Sequence, residues 1–541
     1  MTAALPAMTA ARALSAGRVH RSMSRRISAS IVAMALGAVG CGLPVPSPSP
    51  PASEPPTAAP IGTPQPTPAP TGTPAPQGTP GPSLTTGGLT WALGPTESTT
   101  VTVPLDYDRP TAGTITLAVV RHRVSNPSQR IGTLFLNPGG PGASGVDMLS
   151  RADRLLPPGI ADRFDLVSWD PRGVGLSRGL TCPDRATIAR AEALDPDPET
   201  KAAIAAYAAV FGDVAAQCQA ASGDLLPYLS EANTARDMDA IRAAMDETTI
   251  SYYGWSYGTY LGYLYATMFP TRLRAAVLDG PVDPTLDLQG RDDGQARGFE
   301  AAFDQVMALC ASATACPFYN GGKPAKAYAE LMARLDRQPV AAGTGKLGRG
   351  EALTGVITFL YADDPQPLMQ ALADAQRGNG ETLLATAHFY YEQVDLGSYL
   401  ATSCLDAAHL PTPGAIESAF AKTRVAAPEF AAYVVLADAY GCLAWPVEAS
   451  PVTVGAPPAG LPPILILASR YDPATPPFMA QPLADALGTG VVLMRDGLGH
   501  TTGGSMLTNP CLSDAAAAYL TRLNTPAPGT VCKDPPPTFA P

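Results

Sequence analysis

From about residue 99 onward the chain alternates short apolar runs with longer amphipathic ones. Residues 99–103 and 114–120 interleave β-branched and polar positions, with Asp108-Arg109-Pro110 and Ala112-Gly113 between them, which predicts an antiparallel pair joined by a turn. Residues 132–136 and 164–169 are apolar without alternation, the pattern of strands covered on both faces. Each runs into a glycine-rich loop, Asn137-Pro138-Gly139-Gly140-Pro141-Gly142 and Asp170-Pro171-Arg172-Gly173-Val174-Gly175. Over residues 234–245, Ala235, Met238, Ile241 and Met245 fall on one helical face, and Thr234 with Asp237 reads as a capping box. Residues 248–253, 274–278, 463–468 and 491–494 read as further strands, with a helix over 260–269 closed by Pro270 and another over 479–487 closed by Gly488. This alternation of strands and helices predicts an α/β fold with a mostly parallel sheet after an antiparallel start.

Residues 286–455 break that rhythm. Helical periodicity dominates at 299–309, 325–335, 367–375 and 381–393, and this stretch is expected to be a large helical cap inserted over the sheet. It separates a first core segment, 89–285, from a second, 456–541. Residues 1–40 hold Arg12, Arg18, Arg21, Arg25 and Arg26, no acid, and a short apolar stretch ending before Cys41, which reads as a signal peptide. Ala38-Val39-Gly40-Cys41 resembles a lipoprotein cleavage box in which Cys41 is acylated; simple secretion is the alternative. Residues 41–88 are rich in Pro, Ser, Thr, Ala and Gly, a composition without the means to form a core, and are expected to be a disordered tether.

Composition narrows the function. The formal net charge is −11, and removing the arginines of residues 1–40 makes the remainder more acidic, which argues against nucleic acid as a partner. Eight cysteines follow Cys41: Cys182, Cys218, Cys310, Cys316, Cys404, Cys442, Cys511 and Cys532. None forms a C-x-x-C, so metal and thioredoxin-like chemistry are disfavoured, and structural disulfides in an oxidising compartment are expected. Spacing alone does not choose among about a hundred pairings.

The chemistry centres on Gly254-Trp255-Ser256-Tyr257-Gly258, a G-x-S-x-G between a predicted strand and a predicted helix. A serine in that setting becomes a nucleophile when a base takes its proton. Of five histidines, His20 lies in the signal region, His122 at an early strand end, and His388 and His409 in the cap. His500, in the loop after the last strand, remains as the base. Chain order places the acid between them at a strand end. Asp472 in Arg470-Tyr471-Asp472-Pro473 fits, and Asp279 is the competitor, read as a loop-bracing carboxylate. An oxyanion needs fixed N–H donors; the backbones of Tyr257 and Gly140 are expected to supply them. No metal or organic cofactor is required.

Taken together, these residues resemble the proline-iminopeptidase-like branch of α/β-hydrolases, and more closely the secreted tripeptidyl aminopeptidases of actinobacteria and related mycobacterial envelope serine proteases. The resemblance is carried by Val103-Pro104-Leu105-Asp106-Tyr107, the two glycine-rich loops, Thr234-Ala235-Arg236-Asp237-Met238-Asp239, the serine motif, Asp472-Pro473-Ala474-Thr475-Pro476, Gly499-His500 and Gly529-Thr530-Val531-Cys532. It implies an α/β-hydrolase fold, a Ser256–Asp472–His500 triad, and release of short peptides, often tripeptides, from free N-termini of peptides or proteins. It also implies disulfides in sequence order, Cys182–Cys218, Cys310–Cys316, Cys404–Cys442 and Cys511–Cys532. Thr475 matches a position near the active site. An exopeptidase needs a group for the free α-amine, and Asp292, Asp293 and Glu300 at the start of the cap are the candidates. A carboxylesterase or lipase with the same triad, and a non-catalytic envelope binding protein on the same scaffold, are the rival readings.

Overall fold

The computed structural model describes residues 83–539 apart from Gly87, Pro95 and Val394; the expected signal peptide, Cys41 and nearly all of the expected tether lie outside them. An 11-stranded sheet runs β1(Ser83–Thr86), β2(Leu89–Ala92), β3(Glu97–Pro104), β4(Thr114–His122), β6(Phe164–Trp169), β5(Gly132–Asn137), β7(Ile250–Trp255), β8(Leu273–Asp279), β11(Ile464–Tyr471), β12(Gly490–Leu498), β13(Val531–Lys533). β1 to β4 pair antiparallel, β4 meets β6 antiparallel, and every pairing from β6 through β13 is parallel. The fold is an α/β-hydrolase. A small hairpin of β9(Val340–Ala342) and β10(Gly345–Leu347) lies in the cap segment.

The central strands read as unbroken apolar runs because both faces are buried. Phe135, Val167, Tyr252, Ala276 and Ile466 face one core layer, while their neighbours Leu134, Leu136, Leu166, Tyr253, Val277 and Leu465 face the other. The loops carrying the family resemblance are tied to one another underneath. Arg172 and Asp237 form a fully buried ion pair; Arg172 also donates to the carbonyls of Pro104, Leu105 and Tyr228, and the Tyr107 hydroxyl donates to Asp237 at 2.7 Å. A buried charge pair survives only when its remaining polar positions are filled, as here.

Three expectations need correction. Ser230, not Thr234, caps the helix Glu231–Ala244 by accepting from the Asn233 N–H, because Thr234 is already inside the helix and Asp237 is committed to Arg172. Strand β1 falls within the segment expected to be tether: Leu84 pairs with Trp91 across a turn at Gly88, whose φ of 77° suits glycine. The cap stretch is also not one body. Its helices Leu288–Ser312, Pro324–Arg337 and Arg349–Leu360 share a core of their own, which includes Phe303, Leu331 and Val356. Its helices Leu396–Asp406 and Ala437–Ala444 instead pack Leu400, Leu405 and Tyr440 into the layer beneath the sheet. Four disulfides, Cys182–Cys218, Cys310–Cys316, Cys404–Cys442 and Cys511–Cys532, match the pairs the resemblance implies. Cys404–Cys442 joins those two inner helices. Among the described residues, no helix is long and apolar enough to cross a membrane.

Candidate active site

Ser256 follows β7 and precedes the helix Gly258–Met268, with φ at 55°, a left-handed conformation that a serine adopts at a cost. Its N–H donates to the Asp279 carbonyl at 2.8 Å, which pins the turn to the end of β8. Close packing explains the flanking glycines. A Cβ on Gly254 would meet the Gly258 carbonyl oxygen at 2.3 Å, and one on Gly139 would meet the Trp255 carbonyl oxygen at 2.4 Å and the Tyr257 nitrogen at 2.7 Å. The loop after β5 therefore lies directly against the serine turn.

His500 arrives from the loop after β12. Its Nδ1 lies 2.8 Å from Asp472 Oδ1, and its buried Nε2 has no hydrogen-bond partner among the described residues. Asp472, after β11, is 1 % exposed and is saturated with donors: the Ala474, Thr475 and Thr501 N–H groups and the Thr475 hydroxyl. Its orientation, and through it the imidazole's, is fixed before any substrate arrives. Thr475 Oγ1 also lies 3.4 Å from His500 Nδ1, and the Tyr361 ring meets the imidazole edge-on. Asp279 takes a different place: it accepts from the Tyr253 hydroxyl and from Thr502, and so braces the loop that carries His500. Burial pushes its carboxyl up to about 6.

Ser256, His500, Gly140 and Tyr257 line one cavity of about 190 Å³. The other histidines are elsewhere: His122 lies 2.8 Å from the Thr96 hydroxyl, His388 is exposed, and His409 is half-buried. The three amine candidates separate. Asp292 lines the cavity, 2 % exposed, and its Oδ2 has no partner among the described residues. Asp293 pairs with Arg297 and accepts from the buried Thr423 hydroxyl, and Glu300 accepts from the Glu429 N–H; neither lines the cavity. Asp293 and Glu300, seven residues apart, lie almost in line along the helix, while Asp292 is turned about 100° from Asp293, which brings Asp292 alone to the cavity.

Sequence reasoning missed a set of buried groups on the cap side. Asp438 accepts from the Tyr399 hydroxyl at 2.6 Å, and burial pushes its carboxyl up to about 6. Asp292 is raised well above the usual carboxylate range, first by burial and then by the nearby charge of Asp438. Asp406 accepts from the Tyr257 hydroxyl and from the Glu231 N–H, and burial lifts it to about 7. Arg291 donates to the same Tyr257 hydroxyl at 3.2 Å and stacks over its ring. The residue following Ser256 is thus gripped from the cap side. The signal for Asp438 was present: a single acid within Ala431-Ala432-Tyr433-Val434-Val435-Leu436-Ala437-Asp438-Ala439, an apolar run in which a carboxylate has to be buried.

Comparison with known proteins identifies the family. A family model described as TAP-like protein matches residues 427–532. Serine protease Hip1 of Mycobacterium tuberculosis is 33% identical over 455 residues, covering 80% of this chain and 86% of that protein. The tripeptidyl aminopeptidase of Streptomyces lividans is 32% identical over 455 residues, covering 80% of this chain and 82% of that one. Carboxylesterase B of M. tuberculosis is 33% identical over 448 residues, covering 78% and 83%. With this identity over most of both lengths, the chain belongs to the TAP-like family of α/β-hydrolases that these relatives represent.

Proposed function

We propose that this protein is an exported serine peptidase that releases short peptides, three residues long, from free N-termini. The observation that carries the reading is one cavity lined both by Ser256 with a pre-aligned His500 and by the buried Asp292, whose Oδ2 has no hydrogen-bond partner among the described residues. His500 Nε2 takes the Ser256 proton as Oγ attacks a peptide carbonyl; Asp472 stabilises the resulting imidazolium. The N–H groups of Tyr257 and Gly140 hold the oxyanion. His500 then protonates the leaving amine, and water, deprotonated by His500, hydrolyses the acyl-enzyme. Asp292, with Asp438, receives the α-ammonium and so measures distance from the N-terminus. The names of Hip1 and of the Streptomyces aminopeptidase support the peptidase class, and the latter supports the tripeptide length.

Four disulfides support an oxidising destination, and Cys41 is the residue we assign to acylation, with the segment after it as tether. Mass spectrometry of the mature N-terminus checks this. The second reading, an esterase using the same triad, is favoured by the comparable identity to Carboxylesterase B. A matched panel decides: tripeptidyl amides with free and N-acetylated ends, beside simple acyl esters. Preference for the free amides is expected. Turnover of esters alone, or equal cleavage of acetylated peptides, overturns the aminopeptidase reading.

A further inference from the structure

A second chamber, of about 90 Å³, lies next to the cavity. Gln295, Tyr390 and Tyr399 line both, so the two adjoin across these side chains. The walls of the second chamber are aromatic and aliphatic: Tyr207 and Phe211 from the helix Lys201–Ser222, Leu353 from Arg349–Leu360, and Tyr391, Leu396 and Tyr433 from the cap. Tyr390 meets the rings of Tyr391 and Tyr433 at 5.4 and 6.4 Å, which makes that wall rigid. Asp438 lines the second chamber, whereas Asp292 lines the first. The acid pair therefore stands at the junction.

Stereochemistry then leaves one place for the first residue's side chain. The α-carbon of an N-terminal residue carries an ammonium, a carbonyl and a side chain. With the ammonium at Asp292 and Asp438, and the carbonyl leading toward Ser256, the side chain is left facing the second chamber. We propose that this chamber is the specificity pocket for the substrate's N-terminal residue and that it selects a hydrophobic side chain of leucine to phenylalanine size. The proposal rests on the aminopeptidase reading above. An apolar side chain that fits such a pocket is worth at least roughly tenfold in kcat/KM over one that leaves it empty. Among the described residues lining the chamber, the one charged group besides Asp438 is Glu192, which is half-buried.

The test uses the full folded enzyme on Xaa-Ala-Ala nitroanilides, with Xaa as Gly, Ala, Leu, Phe or Lys, each free and N-acetylated. Two variants fill the chamber from different elements, Ala191→Phe and Ala437→Leu, and thermal melting checks that each folds. Leu and Phe are expected to exceed Gly by about tenfold or more in kcat/KM, and either folded variant is expected to erase most of that advantage. A flat series among the free substrates, or a preference that persists in both filled variants, overturns the pocket while leaving the peptidase intact. Preference for Lys reassigns the chamber to Glu192 and likewise overturns it. Acetylated substrates cleaved as well as free ones remove the amine reading first, and the pocket with it.

Discussion

Asp472 and Asp292 relate to one cavity in different ways: Asp472 stands behind His500, which lines it, and Asp292 lines it directly. Asp472 stands behind His500 on a loop between sheet strands and accepts hydrogen bonds from four protein N–H and O–H donors besides the imidazole. Asp292 projects from a cap helix, equally buried, with one oxygen unpartnered and a second carboxylate nearby. The core side is complete as folded, and its donors hold a charge in place. The cap side leaves one carboxylate oxygen without a hydrogen-bond donor among the described residues, with the buried Arg291 guanidinium as its neighbouring cation. On the function proposed above, a site built that way orients its reactive groups before substrate arrives and reserves binding energy for a ligand that brings its own positive charge.

The largest break in this comparison is expected on the core side. Ser256→Ala and His500→Ala should each lower kcat by roughly 10⁴- to 10⁶-fold with melting unchanged, and Asp472→Asn by about 10⁴-fold; amide hydrolysis under saturating substrate measures it, and a loss below tenfold would show that another group does the chemistry. On the cap side, Asp292→Asn should cut kcat/KM for free N-termini by about 30- to 1000-fold and collapse the ratio of free to acetylated substrate toward one. An unchanged ratio would place the amine elsewhere.

Acidity sharpens the contrast next. Asp406 titrates near 7 in the folded protein against an ordinary 3.8, because burial disfavours its charge. The folded state then holds the proton more tightly than the unfolded one, so this group's contribution to stability is complete below about pH 4 and is lost as pH rises through 7. Asp438, near 6, acts in the same sense over a narrower window. Melting temperature followed from pH 4 to 8 should show this slope, and Asp406→Asn should flatten it by about 2–4 °C; an identical slope in the variant would remove Asp406 from the account. The smallest effect separates two bridges within the cap segment. Opening Cys404–Cys442, whose cysteines are 38 residues apart and which clamps the inner helices, should cost about 3–4 kcal/mol, and opening Cys310–Cys316, 6 apart, about 1.5 kcal/mol less. Chemical denaturation of paired Cys→Ser variants ranks them.

Legibility in the sequence follows the same divide. The core side was readable because each part is local: β7, the serine turn and the next helix are consecutive, and His500 and Asp472 each follow a strand whose apolar run is unmistakable. Asp279 was also read as a brace, the role its bonds to Tyr253 and Thr502 describe. On the cap side the reading reached Asp292 but grouped it with Asp293 and Glu300, because helical spacing does not say which face is buried when both faces carry charge. Asp438 and Asp406 went unnamed because each acts on a residue remote in the chain, Asp438 on Tyr399 and Asp406 on Tyr257.

The order of apolar runs and glycine loops by itself determined the parallel sheet and the chain positions of Ser256, Asp472 and His500, since strand burial and sharp turns are written in neighbouring residues. Only the tertiary structure decided how the cap divides between its own core and the sheet's, which acids lie in the cavity, and that a second chamber adjoins it. Those depend on packing between helices far apart in sequence, where burial, not residue type, decides which acid faces the cavity and which stays at the surface.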